Sequence, residues 1–244
     1  MIPWLTAGDP FPAVESALHD PNGLLAAGGD LSPDRLIDAY RRGIFPWFGD
    51  DDPLLWWSPD PRMVLVPGEL HVSRSLRRTL KSHQYTITLD TAFRDVMAGC
   101  AEPRDEHLPS LSGSGPAGGT WITPAIIDAY VRLAALGHAH SVEAWSEGEL
   151  RGGLYGVALG RMFYGESMFS RRTDASKIAL VMLVRQLDRW GFELIDCQTS
   201  TEHLARFGAR ELPRAEFVRR VQRLVTQPPV PSPWVLDQDV MKML

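Results

Sequence analysis

The chain has 244 residues, 44% of them hydrophobic, with 25 basic and 30 acidic side chains for a formal net charge of −5. That apolar content suits a globular core and argues against disorder, and the acidic balance excludes wholesale coating of nucleic acid, so any RNA contact is confined to a local basic patch. Cys100 and Cys197 are too few for a disulfide scaffold and lack CxxC spacing, so two free thiols in a reducing, cytoplasmic compartment are expected.

The opening segment, MIPWLTAGDPFPAVESALHD, has no basic stretch followed by an apolar one, and nowhere do about eighteen apolar residues run together. Neither export nor a membrane span is expected. Residues 1–60 are rich in Pro, Gly and Trp and read as turns around one helix. Ser32 is its N-cap, Pro33 its first residue and Gly43 its stop. Pro59 and Pro61 mark a seam near Arg62 between a small N-terminal domain, 1–62, and the remainder, 63–244.

Beyond the seam, MVLVP and YTITLD read as strands flanking a basic helix, HVSRSLRRTLKS, and TAFRDVMAGCAE reads as a further helix. PSLSGSGPAGG, residues 109–119, is expected to be an exposed loop. Thr123 and Pro124 open a helix with an apolar face of Ile126, Ile127, Tyr130, Leu133 and Ala134. Three strands follow, HAHSVEAW, LRGGLYGVAL and RMFYGESMF, whose short connections predict an antiparallel meander. Asp174 is expected to cap ASKIALVMLVRQLDRW, Gly191 ends it, and FELIDCQ reads as a buried strand before the helices HLARFGA and RAEFVRRVQRLV. Glycines 152, 153, 156, 160 and 165 let something approach the sheet closely. The fold class is α+β, a sheet with helices packed on it.

Three constellations can carry chemistry. Glu166, in GESMFS, and Asp196, in IDCQ, are carboxylates in apolar strands, the setting of functional acids. On a strand, Asp196 and Gln198 share a face, and a carboxylate beside a carboxamide can hold an attacking amine. Cys197 points the other way and is expected to be a buried structural thiol. The second constellation is Trp-rich, with Trp47, Trp56, Trp57 and Trp121 beside Pro or Gly. Indoles not used in packing can form an aromatic pocket for an apolar ligand or a nucleobase. The third is RSLRRTLK, where Arg74, Arg77, Arg78 and Lys81 recur every three or four residues on one helix face, a candidate phosphate contact. His138 and His140 alternate on one strand without a third ligand, so no metal is expected.

These stretches together resemble the leucyl/phenylalanyl-tRNA–protein transferase family: PNGLLAAGGDLSP, YRRGIFPWF, LWWSPDPR, GTWIT, GHAHSVEAW, GGLYGVALG, GESMFSR and LIDCQ occur in the expected order over most of residues 21–210. The resemblance implies an N-acetyltransferase-like catalytic domain behind a small N-terminal one. It also implies transfer of Leu or Phe from Leu-tRNA or Phe-tRNA to proteins beginning with Arg or Lys, which marks them for N-degron degradation. Glu166, Asp196 and Gln198 then line the transfer site, an apolar pocket drawn from Trp47, Trp121, Leu154, Phe163 and Met168 receives the side chain, and Arg74, Arg77, Arg78 and Lys81 meet the acceptor stem. No cofactor is implied and a monomer is expected. Two features depart from the family pattern: Leu154 stands where Met is expected, and residues 109–119 read as an insertion. The rival readings are an acetyl-CoA-dependent N-acyltransferase and a noncatalytic tRNA- or peptide-binding module.

Overall fold

The computed structural model of the chain describes residues 1–49, 52–102 and 121–242, the side chains of 241 and 242 excepted. The loop expected at 109–119 lies outside the described residues. Residues 1–60 hold more order than their turn-rich composition suggests. Strands β1 (Trp4–Leu5), β2 (Leu24–Gly28), β3 (Phe45–Pro46) and β4 (Leu55–Trp57) form one sheet in the order β1-β2-β4-β3. Three of these strands have only two or three residues and the five-residue β2 is buried without alternation, so none shows a period-two pattern in the sequence. The expected helix is α1 (Pro33–Arg41), and the Ser32 hydroxyl accepts the Arg35 amide at its start.

The second sheet begins at the Pro59–Pro61 seam. It contains β5 (Arg62–Leu65), β6 (Thr86–Leu89), β7 (Ala139–Ser146), β8 (Glu149–Leu159), β9 (Met162–Ser170), β10 (Leu194–Asp196) and β11 (Arg210–Leu212), in the order β11-β5-β10-β9-β8-β7-β6. The antiparallel meander is β7-β8-β9. The sheet is mixed, because β10 runs parallel to β9 and antiparallel to β5.

Helices cover both faces. On one side lie α1, α3 (Phe93–Ala101), α4 (Pro124–Ala135) and α7 (Arg214–Leu224), joined through Leu36, Val96, Tyr130 and Phe217 to a core that also takes in the first sheet. On the other lie α2 (Arg74–Lys81), α5 (Ala175–Arg189), α6 (Glu202–Ala205) and α8 (Gln238–Lys242), around Leu76, Leu183, Leu204 and Val240. Among the described residues no helix is long and apolar enough to cross a membrane.

Two local expectations need correction and a third becomes specific. Asp174 does not cap α5: it adopts a left-handed backbone, φ 65°, and its carboxylate takes Lys177 Nζ at 2.8 Å and the Thr79 hydroxyl at 3.2 Å. Strand β10 stops at Asp196, and Gln198 has φ 55°, so the period-two argument does not reach it. The glycines of β8 admit the chain's own atoms: a Cβ at Gly152 would lie 2.6 Å from Ala175 Cβ, which lets α5 settle on the strand.

One irregularity positions the site. Tyr155 pairs with Ser167 and Gly156 with Gly165, so Glu166 is an extra residue on β9, a β-bulge. The bulge keeps Phe163 and Met168, five residues apart, in the α5 core, while Tyr164 and Phe169 stay in the α4 core.

Candidate active site

Glu166 is 3% exposed and points into the α4 side of the sheet. Tyr40 from α1 donates to its Oε1 at 2.8 Å and Tyr130 from α4 donates to Oε2 at 3.2 Å, while the two hydroxyl oxygens lie 2.5 Å apart. These three contacts form a closed triangle. Two hydroxyl protons fill only two of them; all three are filled when a proton on the carboxyl group is donated to one tyrosine, which then donates to the other. Burial acts in the same direction and, against the lowering pull of the Tyr40 hydrogen bond, raises the Glu166 pKa to about 8. The free site therefore holds a neutral acid at neutral pH. Burial also pushes both tyrosines well above their ordinary value, so neither gives up its proton.

Asp196 has a different neighbour from the one its sequence setting suggests. Its carboxylate accepts two bonds from the fork of Arg62, Nε–Oδ1 at 2.7 Å and Nη2–Oδ2 at 2.6 Å, and both side chains are fully buried. The guanidinium lies between the rings of Phe45 and Phe217, 4.7 and 4.6 Å from their centroids, and its Nη1 donates to the Gly43 carbonyl at 3.2 Å. Asp196 Oδ1 also accepts the backbone N–H of Gln198 at 2.9 Å.

Gln198 is 2% exposed, and neither Oε1 nor Nε2 has a hydrogen-bond partner among the described residues. A buried, unfulfilled carboxamide is costly unless something else completes it. It lies where the sheet opens. Strand β10 pairs with β9 only as far as Tyr164, and beyond it the chain follows β5, with the Cys197 amide donating to the Met63 carbonyl and the Gln198 carbonyl accepting the Met63 amide. The stretch of β9 from Gly165 to Ser170 thus has no β10 partner, and Glu166 and Gln198 belong to the two sides of that opening. Cys197 is buried in the α5 core, where loss of solvation pushes its thiol up and out of nucleophilic range.

The five residues expected to share one apolar pocket are divided by the sheet. Trp121 and the half-buried Trp47 belong to the α4 side, and their indole N–H groups find no partner among the described residues. Leu154, Phe163 and Met168 belong to the α5 side, where Leu154 pairs with Met168 across β8 and β9. Arg74, Arg77, Arg78 and Lys81 are exposed on α2, which sits on the α5 side through Leu76 and Leu80. None of the four forms an ion pair among the described residues. His140 is buried, 2.8 Å from Asp90 through Nδ1 and stacked on Trp234, and His138 precedes β7. No group of three His, Cys, Asp or Glu among the described residues could hold a metal ion.

Tyr40, Tyr130 and Arg62 escape a reading by motif. Tyr40 and Tyr130 look like core aromatics of amphipathic helices. Arg62 offers one signal, a charged residue opening the apolar run MVLV, which marks a buried cation in need of a carboxylate.

A family model described as leucyl/phenylalanyl-tRNA protein transferase matches residues 64–222, and one described as the N-terminal domain of that transferase matches residues 29–60. The chain is 58% identical to the leucyl/phenylalanyl-tRNA–protein transferase of Aromatoleum aromaticum, over 98% of this chain and 96% of that one. It is also 58% identical to the transferase of the same name from Nitrosospira multiformis, over 98% and 99%. Among solved structures, L-PGS from Bacillus licheniformis aligns with a TM-score of 0.42 and 9% identity, over 84% of this chain and 73% of that one, a likeness too distant to carry an argument.

Proposed function

The chain belongs to the leucyl/phenylalanyl-tRNA–protein transferase family, a family of transferase enzymes, and on that premise we propose that it moves Leu or Phe from aminoacyl-tRNA onto the N-terminal α-amine of proteins beginning with Arg or Lys. Met is a third donor that an apolar pocket would accept. The observation that carries this reading is the buried carboxamide of Gln198, unpartnered at the mouth of the β9–β10 opening. It works as a cytoplasmic monomer and marks its products for N-degron degradation. The division into a small domain, 1–62, and a catalytic domain, 63–244, belongs to the same proposal. So does an N-acetyltransferase-like character of the second sheet, supported by parallel strands β9 and β10 that part after Tyr164.

The donor is already an activated ester, so positioning supplies most of the rate and no covalent enzyme intermediate is needed. The acceptor amine, neutral above its ordinary pKa of about 8, adds to the ester carbonyl carbon. Gln198 Oε1 accepts one of its N–H groups, and Nε2 donates to the oxygen that gains charge. The tetrahedral intermediate then collapses. The bond from carbon to the ribose oxygen breaks, and the proton lost by the amine ends on that oxygen.

Glu166 serves the acceptor. A cationic Arg or Lys side chain arriving beside it favours the ionised carboxylate, so the negative charge forms when the cation is there to be held. Trp47 and Trp121, with free indole N–H groups, suit the terminal adenosine, and Leu154, Phe163 and Met168 suit the apolar side chain. Arg74, Arg77, Arg78 and Lys81 supply phosphate contacts for the acceptor stem.

The acetyl-CoA alternative is disfavoured by Asp174. Its carboxylate stands beside the start of α5, bonded to Lys177 and Thr79, where its charge would oppose a pyrophosphate, and the Ser176 N–H there already donates to the Ser170 hydroxyl at 3.4 Å. The deciding assay is transfer of labelled Phe from Phe-tRNA to a protein starting with Arg. Loss of transfer in Gln198→Ala and Glu166→Ala is expected, and unchanged transfer in both would overturn the site. Acetyl-CoA binding would favour the acyltransferase, and tight tRNA binding without turnover a noncatalytic module.

A further inference from the structure

Arg62 is fully buried, yet three separate parts of the chain converge on it. The carboxylate of Asp196 takes its fork, the Gly43 carbonyl takes Nη1, and the rings of Phe45 and Phe217 hold the guanidinium plane from two sides. A planar five-donor fork locked in this way has one orientation, which a flexible ammonium would not have. Asp196 passes that orientation on by accepting the Gln198 amide.

Gln198 needs such an anchor. Its φ of 55° is a left-handed conformation that a side-chain-bearing residue keeps only where its surroundings dictate it. Its carboxamide has no hydrogen-bond partner among the described residues to fix it. The bond to Asp196, beside the longer one from the Met63 amide to the Gln198 carbonyl, is therefore what restrains the backbone from which the amide projects.

We propose that Arg62 is a positioning residue of the transfer reaction, acting through Asp196 to fix the backbone of Gln198 and so aim its carboxamide into the β9–β10 opening. The inference rests on the aminoacyl-transfer reading above. Asp196 is on this account the middle of a relay of orientation and not an acceptor of the amine's proton.

The test compares wild type, Arg62→Lys, Gln198→Ala and the double variant in Phe transfer from Phe-tRNA to an acceptor starting with Arg, with the unfolding midpoint measured on each sample. Misplacing the carboxamide should lower kcat of Arg62→Lys by about 100-fold while KM for tRNA and for acceptor stays within about twofold. Adding Gln198→Ala should then cost little more, since the two changes remove one function. Wild-type kcat in Arg62→Lys, or losses that multiply in the double variant, would overturn the proposal.

Two measurements keep it testable by other routes. Hydrogen exchange at the Gln198 backbone amide should quicken in Arg62→Lys while the Ile195 and Leu65 amides stay protected, and unchanged exchange at Gln198 counts against the relay even if the wild type proves to transfer nothing. If Arg62→Lys does not fold, Asp196→Asn, whose side-chain oxygen still accepts the Gln198 amide, should lose less kcat than Asp196→Ala. Equal losses would make Asp196 a proton acceptor and overturn the positioning role.

Discussion

Tyr40 and Tyr130 bring their hydroxyl oxygens to 2.5 Å from each other although one helix belongs to the first forty residues and the other follows Trp121. Both reach Glu166, so the state of one carboxyl group is set by helices from two distant parts of the chain.

The pKa of Glu166, about 8 against an ordinary 4.5, sets the sign of a stability change. The folded protein favours the neutral acid, so the contribution is complete below the unfolded value and is lost as pH rises through about 8. The amount at stake is on the order of 5 kcal/mol across that window. Glu166→Gln cannot titrate, and its denaturation midpoint should fall less steeply than the wild type's between those two pH values. Parallel curves would show that Glu166 is ionised in the fold.

Tyr40→Phe removes the hydroxyl that does most, among the hydrogen bonds, to stabilise ionised Glu166. The pH midpoint of the wild-type transition should move upward in this variant, with a loss of roughly 1–3 kcal/mol for the buried bonding left incomplete. Denaturant titrations at stepped pH measure both, and a downward shift of the midpoint would contradict the geometry.

Arg74 and Arg78 project from α2 into solvent. Arg74→Ala combined with Arg78→Ala should change stability by no more than about 0.5 kcal/mol. It should weaken tRNA binding and reduce the slope of log affinity against log salt by about 0.7–0.9 for each phosphate that is no longer neutralised. Binding titrations at several salt concentrations decide this, and an unaltered slope would place the RNA elsewhere.

Leu154 is buried between Val142 and Met168 on the neighbouring strands. Leu154→Ala should cost about 2–5 kcal/mol through the cavity it leaves, whereas Leu154→Met should cost less than about 1.5 kcal/mol. If this cluster receives the aminoacyl side chain, Leu154→Met alters the ratio of Leu to Phe transferred, read by mass spectrometry of the acceptor. A constant ratio in a folded, active variant would remove Leu154 from the pocket.

Long elements with their own start and stop signals were legible in the sequence. Thr123 and Pro124 announce α4, the meander follows from the short connections between its strands, and Gly191 closes α5. The strands of residues 1–60 were not: β1, β3 and β4 have two or three residues, and the five of β2 do not alternate in burial. The acids at 166 and 196 were legible as unusual residues in apolar runs, but their partners were not. Tyr40, Tyr130 and Arg62 lie 126, 36 and 134 residues from the carboxylates they touch, and no local pattern encodes such distances. The bulge at Glu166 was hidden for a related reason, since an extra residue is extra only relative to a neighbouring strand.

The surroundings of Arg62 also impose an order of events during synthesis. A chain that has emerged only through α5 already contains Tyr40, Tyr130 and Glu166, but its arginine has neither Asp196 as counter-ion nor Phe217 as the second ring of its sandwich. That arginine must stay hydrated until the last quarter of the polypeptide arrives. Any chemistry that needs Gln198 held in place therefore begins only near the end of translation, and a product truncated before β10 would contain Tyr40, Tyr130 and Glu166 while lacking Asp196, Gln198 and Phe217.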